Sequence, residues 1–145
     1  IHLLEALYHS SDATIYCLIR AEDEKQAKSK LDSSLKHYCF SEISSSPRIV
    51  VLVGDLAKKR LGLSNRVWDE LADNIDAIYH NGAWVHHVYN YEILKSANVE
   101  STINLLKLAC YIKPKVLHYF STLTASISRN KDEPLLEAFP MADPS

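Results

Sequence analysis

Four short groups of residues could carry chemistry, and each stands where an apolar run stops. Arg20 follows ATIYCLI, Asp55 follows RIVVLV and Gly54, Asn81-Gly82-Ala83 follows IYH, and Ser121-Thr122 follows VLHYF. Arg20 offers a planar guanidinium fork suited to a phosphate. Asp55 can accept from an amino group, although a Gly-Asp pair is also an ordinary turn. In the third group, Gly82 lets the backbone approach a flat ligand closely and Ala83 adds almost no bulk, while Asn81 brings both a donor and an acceptor. Ser121-Thr122 could place a hydroxyl on a carbonyl oxygen and polarise it, or could simply close a turn.

Other candidates are weaker. Tyr91 and Lys95 lie one helical turn apart, the spacing at which a lysine lowers the pKa of a tyrosine acid. They precede the Ser/Thr strand, however, and read as a helix-face pair. Tyr111 and Lys115 share that spacing only as letters, because Pro114 interrupts the helix between them. His80, His86 and His87 cluster around the loop without a cysteine or carboxylate close by to complete a metal site, so they read as partly buried or rim histidines and no metal is expected.

The elements that must position these groups follow from periodicity. His2 to His9 carries a helical face at Leu3, Leu4, Ala6 and Leu7. Ala13 to Ile19 and Arg48 to Val53 are apolar almost throughout, as strands covered on both faces are. Between them, acids then bases mark a helix from Glu22 to about Tyr38, and Ser41 to Pro47 reads as a loop. Lys58 to Leu63 reads as a basic surface loop. Ser64 caps a short helix through about Ala72, Ile75 to Tyr79 is a third strand, a long helix runs from about Tyr91 to Tyr111, and Val116 to Phe120 is a fourth strand. After Ser128 the chain reads as loop. Strand and helix alternate, which predicts an α/β fold with a doubly wound parallel sheet and helices on both faces. In such sheets ligands sit outside the carboxyl ends of the strands, where all four candidate groups fall. In a nicotinamide-binding sheet an arginine after the second strand accepts a 2′-phosphate, so Arg20 favours NADP over NAD.

Composition narrows the class further. The 145 residues allow at most one domain, and a hydrophobic content of 47% is enough for a core. A net charge of -2 without a basic block makes nucleic acid or an anionic membrane an unexpected partner, and no apolar run is long enough to span a bilayer. Cys17, Cys39 and Cys110 are odd in number and form no CxxC pair, which fits buried free thiols in a reduced, cytoplasmic setting.

Three segments, GDLAKKRLGLS, IYHNGAWVHHVYNYEILKSANVEST and LHYFST, occur in this order and together resemble the thioester reductase domains. Those domains end some nonribosomal peptide and polyketide synthetases, carboxylic acid reductases and aminoadipate reductases, and are extended short-chain dehydrogenase/reductases. The resemblance spans roughly Ala13 to Ser128. It implies a Rossmann fold binding NADPH, with Arg20 at the 2′-phosphate, Asp55 and Leu56 on the adenine side, and Asn81, Gly82 and Ala83 beside the ribose. Asn98 matches a largely structural helix asparagine of the active site, and Thr122 matches the Ser/Thr of a Ser/Thr–Tyr–Lys triad. The implied reaction is hydride transfer from NADPH to an acyl or peptidyl thioester on the phosphopantetheine arm of a carrier protein, giving an aldehyde or, after a second reduction, an alcohol.

The family's glycine-rich phosphate loop and the strand before it do not precede the first helix here, and its Tyr–Lys helix is not reached by Ser145. The expectation is therefore residues 1–145 as a partial NADP-binding domain, incomplete at both ends and inactive by itself. The alternatives are another extended short-chain dehydrogenase/reductase acting on nucleotide sugars, and a non-catalytic Rossmann-like remnant.

Overall fold

The computed structural model describes residues 1–122. Helix α1 (His2–Ser10) leads into strand β1 (Ile15–Ile19), then α2 (Glu24–His37), a short α3 (Ser41–Ser44) and β2 (Ile49–Val53). A 3-10 turn (Lys59–Gly62) precedes α4 (Asn65–Asn74) and β3 (Ala77–His80). Helix α5 (Tyr91–Lys95), a π-helical segment (Ser96–Glu100) and α6 (Ser101–Cys110) run on as one long helix, and β4 (Val116–Tyr119) follows.

Local chemistry explains these boundaries. Asp23 caps α2 by accepting the Gln26 N–H at 2.7 Å, and Ser64 caps α4 by accepting from Val67. Helix α2 stops where Cys39 turns left-handed (φ 63), with the Phe40 N–H returned to the Leu35 carbonyl. Two segments expected to be loops are not. Ser41–Ser44 makes a helical turn because Ile43 is wholly buried beside Leu31, Leu35 and Ile49. In the stretch expected to be a basic surface loop, Arg60, Leu61 and Gly62 all take positive φ, which drives Leu61 into the core at 3% exposure. The thiols also depart from expectation. Cys39 and Cys110 are exposed, and only Cys17 is half-buried, where burial raises its pKa.

The strands form two parallel pairs. β1 pairs with β2 from Ile15–Ile49 to Ile19–Val53, and β3 pairs with β4 from Ala77–Val116 to His80–Tyr119. Period-two alternation splits the first pair between two cores. Ile15, Cys17, Ile19, Ile49 and Val51 face α1, α2 and α3, whereas Leu18 and Leu52 face α4 and α6. Ile78 and Leu117 of the second pair join that same cluster around Trp68, Leu71, Leu105 and Leu108. One helical layer thus carries both strand pairs, with a second layer on the opposite face of β1–β2. This is the doubly wound arrangement, although β1 and β3 are not hydrogen-bonded to each other.

Candidate functional site

The carboxyl ends of all four strands lie along one rim. Leu56, just beyond β2, presses against Gly82, just beyond β3, so closely that a Cβ on Gly82 would stand 2.7 Å from Leu56 Cδ1. The rim therefore joins the two strand pairs where the Leu56 side chain lies over Gly82.

Arg20 follows β1 directly, with an exposed side chain. It lines a small cavity of about 90 Å³ together with Val53, Gly54, Asp55, Lys58 and Gly62. Two cations, Arg20 and Lys58, face one acid there. Asp55 Oδ1 accepts the Ala57 N–H at 2.9 Å, while its own N–H donates to the Leu61 carbonyl at 2.7 Å. The carboxylate is thus oriented by a turn, and the two readings of Asp55, turn former and ligand acceptor, describe one geometry. Lys58 carries no signal in the sequence; only the left-handed 3-10 turn brings it back to the strand end. A larger, shallow depression of about 430 Å³ between Lys25, Lys28, Asp32 and Lys36 lies on the solvated outer face of α2.

Asn81, Gly82 and Ala83 are exposed and held from both sides by one turn of the long helix. On the far side, the Asn98 carboxamide accepts the Trp84 N–H at 2.7 Å and donates to the Trp84 carbonyl at 3.0 Å, closing a two-bond clamp. On the near side, His80 is 5% exposed, and its Nε2 lies 3.4 Å from Thr102 Oγ1. The Thr102 hydroxyl proton is committed to the Asn98 carbonyl at 2.9 Å, so His80 is the donor, as a neutral Nε2–H tautomer. The π-helical segment carries Asn98, and Thr102 follows it at the start of α6. Ser101 and Thr102 bond back to the carbonyls of Ala97 and Asn98, and the widened turn aims Asn98 at the loop.

Replacing Asn98 with leucine keeps the bulk and removes both clamp bonds. At about 0.5–1.5 kcal/mol per hydrogen bond, the loss is about 1–3 kcal/mol. Amide exchange should then quicken at Trp84 and leave the Leu105 and Leu108 amides unchanged.

Burial lowers the His80 pKa from its ordinary 6.5. The unfolded chain takes up a proton there near pH 6.5, whereas the folded chain resists until lower pH. The stability that neutral His80 contributes is thus complete above pH 6.5 and lost as pH falls, by at most about 1.4 kcal/mol per pH unit. His80→Gln keeps a donor without titrating, so its urea midpoint should fall less than the parent's between neutral pH and pH about 5.5.

Thr122 is the third residue past β4, whose exit is fixed by Phe120 N–H donating to the His80 carbonyl at 3.0 Å. Lys95 Nζ stands 5.8 Å above the Tyr91 ring, and Lys115 Nζ donates to the carbonyls of Tyr111 and Lys113. His86 stacks on Tyr89 at 3.7 Å between centroids. Among the described residues no cluster of three or more His, Cys, Asp or Glu could hold a metal ion, and no helix is long and apolar enough to cross a membrane.

Comparison with known proteins places this geometry. Residues 1–143 match the family model described as Male sterility protein, an NAD-binding family. A linear gramicidin synthase polypeptide of Brevibacillus parabrevis is 42% identical over 131 residues, covering 90% of this chain and 3% of that protein. The L-2-aminoadipate reductase large subunit of Eremothecium gossypii is 40% identical over 128 residues, covering 86% of this chain and 9% of that protein. Among solved structures, the terminal R domain of the myxalamid PKS-NRPS biosynthetic pathway superposes with a TM-score of 0.82 at 40% identity, over 92% of this chain and 36% of that one. The chain spans less than a tenth of these two curated relatives and about a third of that solved domain.

Proposed function

This chain belongs to the Male sterility protein family of NAD-binding domains, with the reductase domains of peptide synthetases and aminoadipate reductases among its relatives, and on that footing we propose that it is part of an NADPH-dependent thioester reductase. The substrate is an acyl or peptidyl chain held as a thioester on the phosphopantetheine of a carrier protein, released as an aldehyde or, after a second reduction, an alcohol. The observation that carries this reading is the shared rim, where the cavity at Arg20 and the clamped Asn81–Ala83 loop meet through Leu56 and Gly82.

The residues present fit a dinucleotide. Arg20 and Lys58 bring two positive charges to one small cavity, which suits a 2′-phosphate. Asp55 would accept from the adenine amino group and Leu56 would pack on the adenine face. The glycine at position 82 leaves the loop flat enough to lie along a ribose, with Asn81 bonding it and Ala83 adding no obstruction. Asn98 acts through Trp84, setting the height of that loop. NADPH bound here would supply a hydride. Thr122 would donate to the thioester oxygen and stabilise the charge developing on it. In the domains this chain resembles, a tyrosine and a lysine complete the proton delivery.

The test is NADPH oxidation by the parent polypeptide that carries these residues. With an acyl thioester on carrier-bound phosphopantetheine, turnover is expected, whereas a UDP-sugar should give none; the reverse pattern overturns the reading. The 145-residue chain alone is expected to leave both NADPH and thioester unchanged.

A further inference from the structure

The long helix carries one residue too many for a regular α-helix. An α-helix joins each N–H to the carbonyl four residues back, whereas the Ser96–Glu100 segment joins them over five. Where the chain returns to four-residue steps at Ser101, one carbonyl is passed over by the backbone amides. Two hydroxyls stand at that junction. Ser101 Oγ donates to the Ala97 carbonyl at 2.6 Å, and Thr102 Oγ1 donates to the Asn98 carbonyl at 2.9 Å. Water has little access to the first of these carbonyls, because Ser101 is fully buried and Ala97 is buried beside it.

A regular helix would not need these hydroxyls, since the Ser101 and Thr102 amides would themselves reach the Ala97 and Asn98 carbonyls. The two side-chain bonds therefore favour the wide form over the regular one. That difference matters because α5 is free to turn. None of its residues is buried, whereas α6 is held in the core by Leu105, Leu108 and Ala109. Closing the wide segment adds the winding of one residue, about 100° of turn and about 1.5 Å along the axis. With α6 fixed, half-buried Leu94 would swing to the direction that exposed Ile93 takes now, and Asn98 would leave the Trp84 backbone.

We propose that Ser101 and Thr102 are positioning residues that hold this wide register, and that through Asn98 and Trp84 they set where the Asn81–Ala83 loop stands at the rim. Without the two hydroxyls the segment closes to a regular α-helix, α5 turns and the loop is released. The register follows from helix geometry alone; its bearing on a bound nucleotide rests on the function proposed above.

The test is the whole chain carrying Ser101→Ala and Thr102→Val together, the valine having nearly the shape of threonine. Two signals are read: attenuation of the Ile93 and Leu94 methyl resonances by a soluble gadolinium chelate, and amide exchange. Leu94 attenuation should rise to the level of Ile93 in the parent, and the Trp84 amide should exchange about tenfold faster. The Leu105 and Leu108 amides should keep their protection. Thr102→Ser retains its hydroxyl and should match the parent. Deleting exposed Val99 from the double variant removes the extra residue, so α5 should turn back and Leu94 should regain the parent's protection in a regular helix. Should the double variant lose protection at Leu105 and Leu108, the same readings are taken on Ser101→Ala alone, with and without the deletion, which leaves the His80–Thr102 contact in place. A quickened Trp84 amide with Leu94 unchanged overturns the inference. So does an exposed Leu94 that the Val99 deletion fails to restore, since that is fraying of α5 and not a change of register. NADPH affinity of the parent polypeptide is recorded separately: a released loop with unchanged affinity supports the register and counts against the ribose reading of Asn81–Ala83 alone.

Discussion

Trp68→Ala should remove about 3–5 kcal/mol of folding stability, a large part of the total for a domain of this size. Trp68 is 4% exposed in the cluster that packs against both strand pairs, which also holds Leu71 and Ala72 of its own helix and Leu105 and Leu108 of α6. Removing the indole leaves a cavity in the cluster that Leu18 and Leu52 of one pair and Ile78 and Leu117 of the other share, so both pairs should lose support together. Trp84→Ala provides the contrast. That ring is 41% exposed, in edge contact with Tyr89, and its truncation should change stability by no more than about 0.5 kcal/mol. Urea unfolding of the two variants measures the difference directly. Equal losses would mean that the cluster around Trp68 does not join the strand pairs.

Gly54→Ala should be the next most damaging of the small substitutions, at about 1–3 kcal/mol. A Cβ there would stand 2.3 Å from Leu18 Cδ1 and 2.6 Å from the Leu61 carbonyl oxygen. Leucine can change rotamer, but the Leu61 carbonyl is backbone and is already bonded to the Asp55 N–H. Relieving the clash therefore pushes the Lys58–Gly62 turn away from the strand end, which displaces both Asp55 and Lys58 from the cavity beside Arg20. At Gly62 the cause is different. Its φ of +74 strains any other residue, and a Cβ would stand 3.3 Å from the Asp55 nitrogen, a tight contact that a shift of a few tenths of an ångström relieves, so Gly62→Ala should cost about 1–2 kcal/mol, mainly as backbone strain, and displace Asp55 less than Gly54→Ala does. Thermal unfolding ranks the pair, and amide exchange at Asp55 separates them. The larger rise in Asp55 amide exchange is expected in Gly54→Ala.

Residue pattern alone was enough to set the elements and the end of the sheet at which they act. Continuous apolar runs at Ile15–Ile19 and Ile49–Val53 can be satisfied only by cover on both faces, and acids preceding bases over Glu24–His37 fix a helix between them. Arg20, Asp55, Asn81–Ala83 and Thr122 stand next to strand ends in the chain, so their common rim follows from parallel strands without tertiary detail. Their order and flanking residues also carried the family resemblance that the comparisons bear out.

What holds those residues in place emerges from packing. Lys58 to Leu63 reads as a basic surface loop because sequence patterns assume ordinary φ; three successive left-handed residues, Arg60 to Gly62, turn Leu61 inward and return Lys58 to the rim. His80 reads as a partly buried or rim histidine, and packing decides how far: the strand continues through it and leaves it 5% exposed. Asn98 reaches Trp84 across fourteen positions of sequence through a π-helical turn that has no signature in the residue pattern. The free edges of β1 and β3 are likewise invisible in the chain order. Pairing between strands is set by which helices cover which face, and that is a property of the packed layers.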